Sequence, residues 1–165
     1  MPVAAPLDHV LRHNTWANLT LLEFCRGLQP AMLEMEANGT YGTLYATVQH
    51  LVGAEQWYVQ LITGDVVGPG RIRRTERRSL DDLVATARAI GARELVIASA
   101  DDAARTVETD ADRTSTVGVI LAQLVHHGNE HRTQATTILG ANGVEPPPLS
   151  AWDYGEAMKV PEAGE

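Results

Sequence analysis

A chain of 165 residues is long enough for one domain with a substantial core and too short to expect two. Its 44% hydrophobic and 21% charged residues are ordinary for a globular protein, and with one Phe, four Tyr and three Trp to favour strands, helix leads before any pattern is read. A net charge of −8 argues against a nucleic-acid-binding face, a single cysteine excludes an internal disulfide framework, and no apolar run approaches the roughly 20 residues of a membrane helix.

The opening MPVAAPLDHV has no basic stretch followed by an apolar one, so no secretory signal is expected and a reduced, cytoplasmic location follows. The first helix is predicted from about residue 7 to 28, with Pro6 and Asp8 suiting its start. Cys25 falls among Leu21, Leu22, Phe24 and Leu28 and reads as a small buried core thiol. His9 and His13 share one face of this helix near the chain start and read as surface groups, His13 also as a substrate-side candidate.

The second helix is predicted over 43–63, entered through NGTYG and closed by Gly64. Within it, His50 sits mid-helix beside Val48 and Leu51, where a polar residue is not needed for solubility. Glu55 and Trp57 read as packing and hydrogen-bonding residues of a bundle, Trp57 also as a candidate on the substrate side. The connection GDVVGPGRIRRTERR, 64–78, is too long for a tight hairpin and suits a crossover. Its arginines, Arg71, Arg73, Arg74, Arg77 and Arg78, read as a solvated basic loop; the sharper alternative is a grip on the carboxylates of an acidic thiol cofactor. The third helix is predicted over 80–99, with Ser79 as N-cap and Asp82 three residues on. The fourth is predicted over 116–139, closed by Gly140. Segments 29–42 and 100–115 are left as connections, and the tail 140–165, with Trp152 and Tyr154, is expected to fold back over the helices. The sum is an all-α single domain, residues 1–165, built as a four-helix bundle with a long crossover connection.

The stretch HHGNEHRTQ, 126–134, holds three of the six histidines. At about 100° per residue, Val117, Leu121, Leu124, Gly128, Ala135, Ile138 and Leu139 form one stripe. His131 falls inside that stripe, His127 at its rim, and His126 on the opposite side. Two imidazoles four residues apart can chelate one ion; a histidine at a core rim is more often held by a hydrogen bond to a neighbour than by a metal. His50 from a facing helix is the candidate third nitrogen, and three protein ligands plus water is the usual arrangement of a catalytic zinc site.

Three stretches carry a family resemblance: HNTWANLTLLEFC, TVQHLVGAEQWYVQLITG and LVHHGNEHRTQATTILGANG. Together they resemble the three motifs of the DinB/YfiT-like family of four-helix metalloproteins, over about residues 7 to 155. The resemblance implies a divalent metal, commonly zinc or nickel, on His50, His127 and His131. It implies a small-molecule substrate and, for the relatives with known reactions, transfer or isomerisation dependent on a low-molecular-weight thiol: mycothiol, bacillithiol or glutathione. Arg132 and Gln134, beside the last ligand, are candidates for holding it in place, or for bonding between helices. No catalytic residue is assigned. Thr133 departs from the Gly of the family's His-Arg-Gly-Gln, which puts the packing at that point in question. A homodimer is expected from the resemblance and from Trp16, Trp57 and Trp152 as apolar surface.

Two rival readings stand beside the thiol-dependent enzyme. His127, Glu130 and His131 also spell His-x-x-Glu-His, the inverted zincin pattern, but Glu130 lies off the core stripe and little chain remains for a further acidic ligand. The other is a catalytically silent, metal-stabilised bundle that acts as a dimerisation or partner-binding module. A coordination position left open beside a cavity favours the enzyme; a fourth protein ligand or a filled pocket favours the silent bundle.

Overall fold

Short oxygen-bearing side chains start three of the four long helices. In the computed structural model, which describes residues 6–100, 102–110 and 112–159, the four are α1 (Pro6–Arg26), α2 (Leu44–Thr63), α3 (Leu80–Ala100) and α4 (Val117–Ala141). The start of the opening stretch, residues 1–5, and the end of the tail, 160–165, lie outside the described residues. Thr43 accepts a hydrogen bond from the Ala46 N–H, Ser79 from the Asp82 N–H and Thr116 from the Val119 N–H, satisfying one orphan donor at each start. Gly64 closes α2 in the left-handed conformation at φ 81°.

Three expectations are corrected. Gly140 does not stop the fourth helix, which runs on to Ala141; the left-handed turn falls instead on Gly143, φ 75°, where the Val144 N–H returns to the Leu139 carbonyl at 3.0 Å. The first helix ends at Arg26 rather than 28, and Pro30 starts a separate 3-10 turn, Pro30–Glu34. Segment 100–115 is not a plain connection: β1 (Thr106–Glu108) and β2 (Thr114–Thr116) pair antiparallel, with Thr106 opposite Thr116. Threonine and valine at these positions suit a pleated pair.

Cross-helix partners give the topology. Thr15 meets Glu94, Glu23 meets Arg88 and Arg26 meets Asp81, so α1 and α3 run antiparallel. His50 faces His127, Tyr58 faces Gln123 and Tyr41 faces Gln134, so α4 runs antiparallel to α2. Val10 lies beside Leu121, and Asn18 bonds Arg132, so α1 and α4 are parallel. It follows that α2 and α3 are also parallel, and the chain between them must travel back along the bundle. It does so as a strap laid on α2. Gln56 donates to the carbonyls of Val67 (2.7 Å) and Gly70 (2.9 Å), Gln49 donates to the Glu76 carbonyl (3.1 Å), and Tyr45 donates to the Arg78 carbonyl (2.6 Å). Buried polar side chains of α2 thus satisfy backbone groups of a segment that has no secondary structure of its own.

Between the helices lies an apolar cluster that includes Leu21, Leu22, Cys25, Leu51, Val52, Leu83, Ile90, Leu124, Ile138 and Leu139, all at most 1% exposed. Cys25 is the buried thiol expected, and burial pushes its pKa up to about 12. After α4 the chain folds back as expected, and α5 (Ala151–Ala157) packs on α1, with a capping box at Ser150 and Asp153. No described helix is long and apolar enough to cross a membrane.

Candidate metal centre

α4 presents His127 and His131 to the interior, 7% and 6% exposed, while His126 points to solvent beside the exposed carboxylate of Glu130. The antiparallel seating of α2 brings His50 opposite both. The Nε2 atoms of His50 and His127 lie 3.2 Å apart, and one ring nitrogen from each of the three histidines falls within 4.8 Å of the others. Among the described residues this is the one group of three or more His, Cys, Asp or Glu able to hold a metal ion, and no fourth such residue joins it.

The rings are held by their neighbours. Tyr41 stacks on His50 at 4.1 Å between centroids and 8° between planes, and stands edge-on to His131 at 5.5 Å. Tyr58 stands edge-on to His127 at 5.8 Å. The His131 Nδ1–H donates to Gln134 Oε1 at 3.1 Å, and the Tyr41 backbone N–H donates to the same oxygen at 3.1 Å. That bond fixes the His131 tautomer and leaves Nε2 with its lone pair.

Burial favours the neutral form of all three imidazoles. Burial lowers the pKa of His50, with the charges of His131 and Arg74 adding to it. Burial takes His127 down to about 3, its three histidine neighbours contributing. Burial also lowers His131, against the opposing effect of its Gln134 bond. A metal ligand must be deprotonated, so this is the state that binds. The donor set also fits by distance: around a tetrahedral ion bonded at about 2.0–2.1 Å, neighbouring nitrogens stand roughly 3.3 Å apart. The His50–His127 separation is already 3.2 Å, a span that holds at most one proton between two nitrogens that both want a partner.

A cavity of about 690 Å³ opens beside His50, between α2 and the strap. Its walls include Tyr45, Trp57, Ile72, Arg74 and Arg77. Trp57, expected on the substrate side, is therefore in the wall of the space that His50 faces. His13 is not brought there. Its Nε2–H donates to the Leu149 carbonyl at 2.9 Å and its ring packs against Trp16 and Tyr154, so it docks the tail.

Gln134 contacts a cluster histidine; Arg132 does not. It is 4% exposed, its guanidinium turned into the bundle, where Nη1 donates to Asn14 Oδ1 at 2.7 Å and Asn18 Oδ1 at 2.5 Å. Those two amides donate in turn to the two oxygens of Glu55, at 3.1 and 2.8 Å. Burial raises the Glu55 pKa to about 7. Glu94 lies nearby, fully buried, one oxygen accepting from Thr15 at 2.7 Å and the other without a partner; its pKa is pushed up to about 8, chiefly by burial. The sequence reading gave Glu55 a bundle role and missed Asn14, Asn18 and Glu94. The signal was there: Asn14 and Asn18 sit four residues apart on the face that carries Leu11, Leu21 and Leu22. Tyr41, in a connection, carried no such signal. Thr133 is exposed and donates to the Asn129 carbonyl at 2.9 Å, so its side chain crowds nothing.

Comparison with known proteins agrees with this architecture. The DinB family model matches residues 1–162. A solved DinB-like protein from Bacillus cereus ATCC 10987 superposes with a TM-score of 0.62 at 18% identity, covering 84% of this chain and 92% of that one. No curated protein matches the sequence.

Proposed function

This chain belongs to the DinB family, and on that footing we propose that it is a divalent-metal enzyme that transfers a low-molecular-weight thiol to, or isomerises with its help, a small electrophilic substrate. His50, His127 and His131 hold the ion, zinc or nickel, through ring nitrogens. When bound, the metal lowers a thiol's pKa and presents the thiolate at neutral pH beside the substrate. The chain's own residues do the rest. Burial favours the neutral form of the three imidazoles, the Gln134 oxygen holds His131 in one tautomer, and Tyr41 covers the face of His50. Trp57 and Ile72 line the cavity with apolar surface that excludes water from the thiolate's side.

One observation carries this reading: three imidazoles converge within reach of one ion, and one of them, His50, stands in the wall of a cavity of about 690 Å³. A silent, metal-stabilised bundle would have no need of that space. The inverted zincin reading loses support because Glu130 is exposed and stands beside His126, away from the cluster. We also infer a homodimer and a cytoplasmic setting, the first on the strength of Trp152, which is 87% exposed.

The test is a panel assay. Metal-loaded protein is incubated with mycothiol, bacillithiol or glutathione and a chromogenic electrophile. Turnover with one thiol, abolished by chelation and by His127→Ala, is expected; no metal-dependent turnover with any of them refutes the enzyme.

A further inference from the structure

The cavity beside His50 is lined by two arginines and by no aspartate or glutamate, in a protein whose net charge is −8. The two cations differ in their commitments. Arg77 pairs with Glu34 at 2.8 Å and lies over the Tyr45 ring at 3.7 Å. Elsewhere on the strap, Arg73 pairs with Glu76 at 3.2 Å, and Arg78 donates to the Arg71 carbonyl at 2.7 Å. Arg74 makes no hydrogen bond or ion pair among the described residues, yet it lines the same cavity as His50.

The strap sets where Arg74 can reach. Just before it, the Ile72 N–H donates to Gln56 Oε1 at 2.9 Å, and the Ile72 side chain lies over Gly53, where an added Cβ would meet it at 3.0 Å. Just after it, the Glu76 carbonyl is held by Gln49 at 3.1 Å. Arg74 is therefore an exposed cation fixed at its root between two anchors, lining the same cavity as Trp57 and Ile72.

We propose that Arg74 is the specificity-determining residue of this site, receiving a free carboxylate of a ligand whose apolar part lies against Trp57 and Ile72. A guanidinium reads a carboxylate with two parallel N–H donors, a geometry that an ammonium does not supply. The inference rests on the site proposed above and names its substrate class. Thiols or electrophiles with free carboxylates are selected over uncharged, glycosidic ones.

S-benzyl-N-acetylcysteine and its primary amide differ only in the carboxylate and carry no thiol, so their relative affinity does not depend on metal-bound thiolate. Titration calorimetry on the full-length protein as purified should show the acid bound at least tenfold more tightly than the amide. In Arg74→Gln the ratio should fall to near one through loss of acid binding, with the amide unchanged, and Arg74→Lys should restore part of it. A wild-type ratio near one, no measurable binding of either probe, or a ratio that survives in Arg74→Gln overturns the proposal. Metal content measured on the same samples decides the metal reading separately: a metal-free protein that keeps the ratio sinks the enzyme and leaves Arg74 in place.

Discussion

Gly128→Ala sets helix propensity against a buried network and gives the two effects opposite signs. Gly128 lies inside α4, where alanine is favoured over glycine by about 1 kcal/mol. A Cβ there, however, would meet the Asn14 side-chain oxygen, with Arg132 Nη1 and Glu55 Oε1 each at 2.9 Å. None of these is a loose side-chain end. Asn14 Oδ1 is tied to Arg132 at 2.7 Å, and the Asn14 amide to Glu55 at 3.1 Å. Room for a methyl group must come from breaking one or both of these bonds, at about 1–3 kcal/mol for each buried group left unsatisfied. The network wins: the net loss is about 1–5 kcal/mol, and at roughly 2–4 °C per kcal/mol for a chain of this size a melting temperature lower by several degrees or more. Gly140 is the control. It lies in the same helix with nothing within 4 Å of an added Cβ, so Gly140→Ala should raise stability by up to about 1 kcal/mol. Both are read by thermal and urea unfolding followed by circular dichroism. A Gly128→Ala variant as stable as wild type, or a Gly140→Ala variant that loses more than it, refutes the reasoning.

The proposed metal centre predicts that His50→Ala, His127→Ala and His131→Ala each lose stoichiometric zinc or nickel after dialysis, by plasma mass spectrometry, whereas His126→Ala, exposed and one residue from a proposed ligand, retains it. Gln134→Ala should keep the ligands but weaken metal affinity by roughly 10- to 100-fold, because the His131 tautomer is no longer held; unchanged affinity by chelator competition counts against that role. Glu94 carries a folded-state pKa of about 8 against a usual 4.5, so the stability it contributes is complete below pH 4.5 and is lost as pH rises through 8. Between pH 6 and 9 wild type should lose on the order of 2 kcal/mol more than Glu94→Gln, and parallel stability–pH curves for the two would exclude a buried neutral carboxyl. Light scattering should give twice the 17.8 kDa of one chain; a clean monomer at micromolar concentration removes the dimer.

Features decided by a few neighbouring residues could be read from the sequence. Thr43, Ser79 and Thr116 cap helices because a side-chain oxygen needs only a backbone N–H three residues on. The inward face of α4 followed from the same periodicity, and with it the separation of His127 and His131 from His126. Gly140 misled because two glycines stand close together at that end, and the choice of Gly143 depends on the left-handed φ that only the finished turn requires. Arg132 takes the second of its two expected roles, bonding between helices: one residue on a helix is a turn of about 100°, enough to aim it away from the His131 side and at Asn14 and Asn18. The stacking of Tyr41 on His50 and the pairing of Glu94 with Thr15 join residues far apart in the chain, and no local pattern encodes such meetings.

The strap on α2 separates two kinds of change in this protein. It is fixed by side chains of α2 reaching up to its carbonyls, contacts that accept almost any residue on the strap itself, since a carbonyl is the same at every position. Positions 74 and 75 can therefore be rewritten without disturbing the helix core, and each rewriting re-lines the cavity beside His50. Ligand preference can drift in such a molecule while its folding energy stays put, and a library confined to those two positions would sample new chemistries on one unaltered bundle.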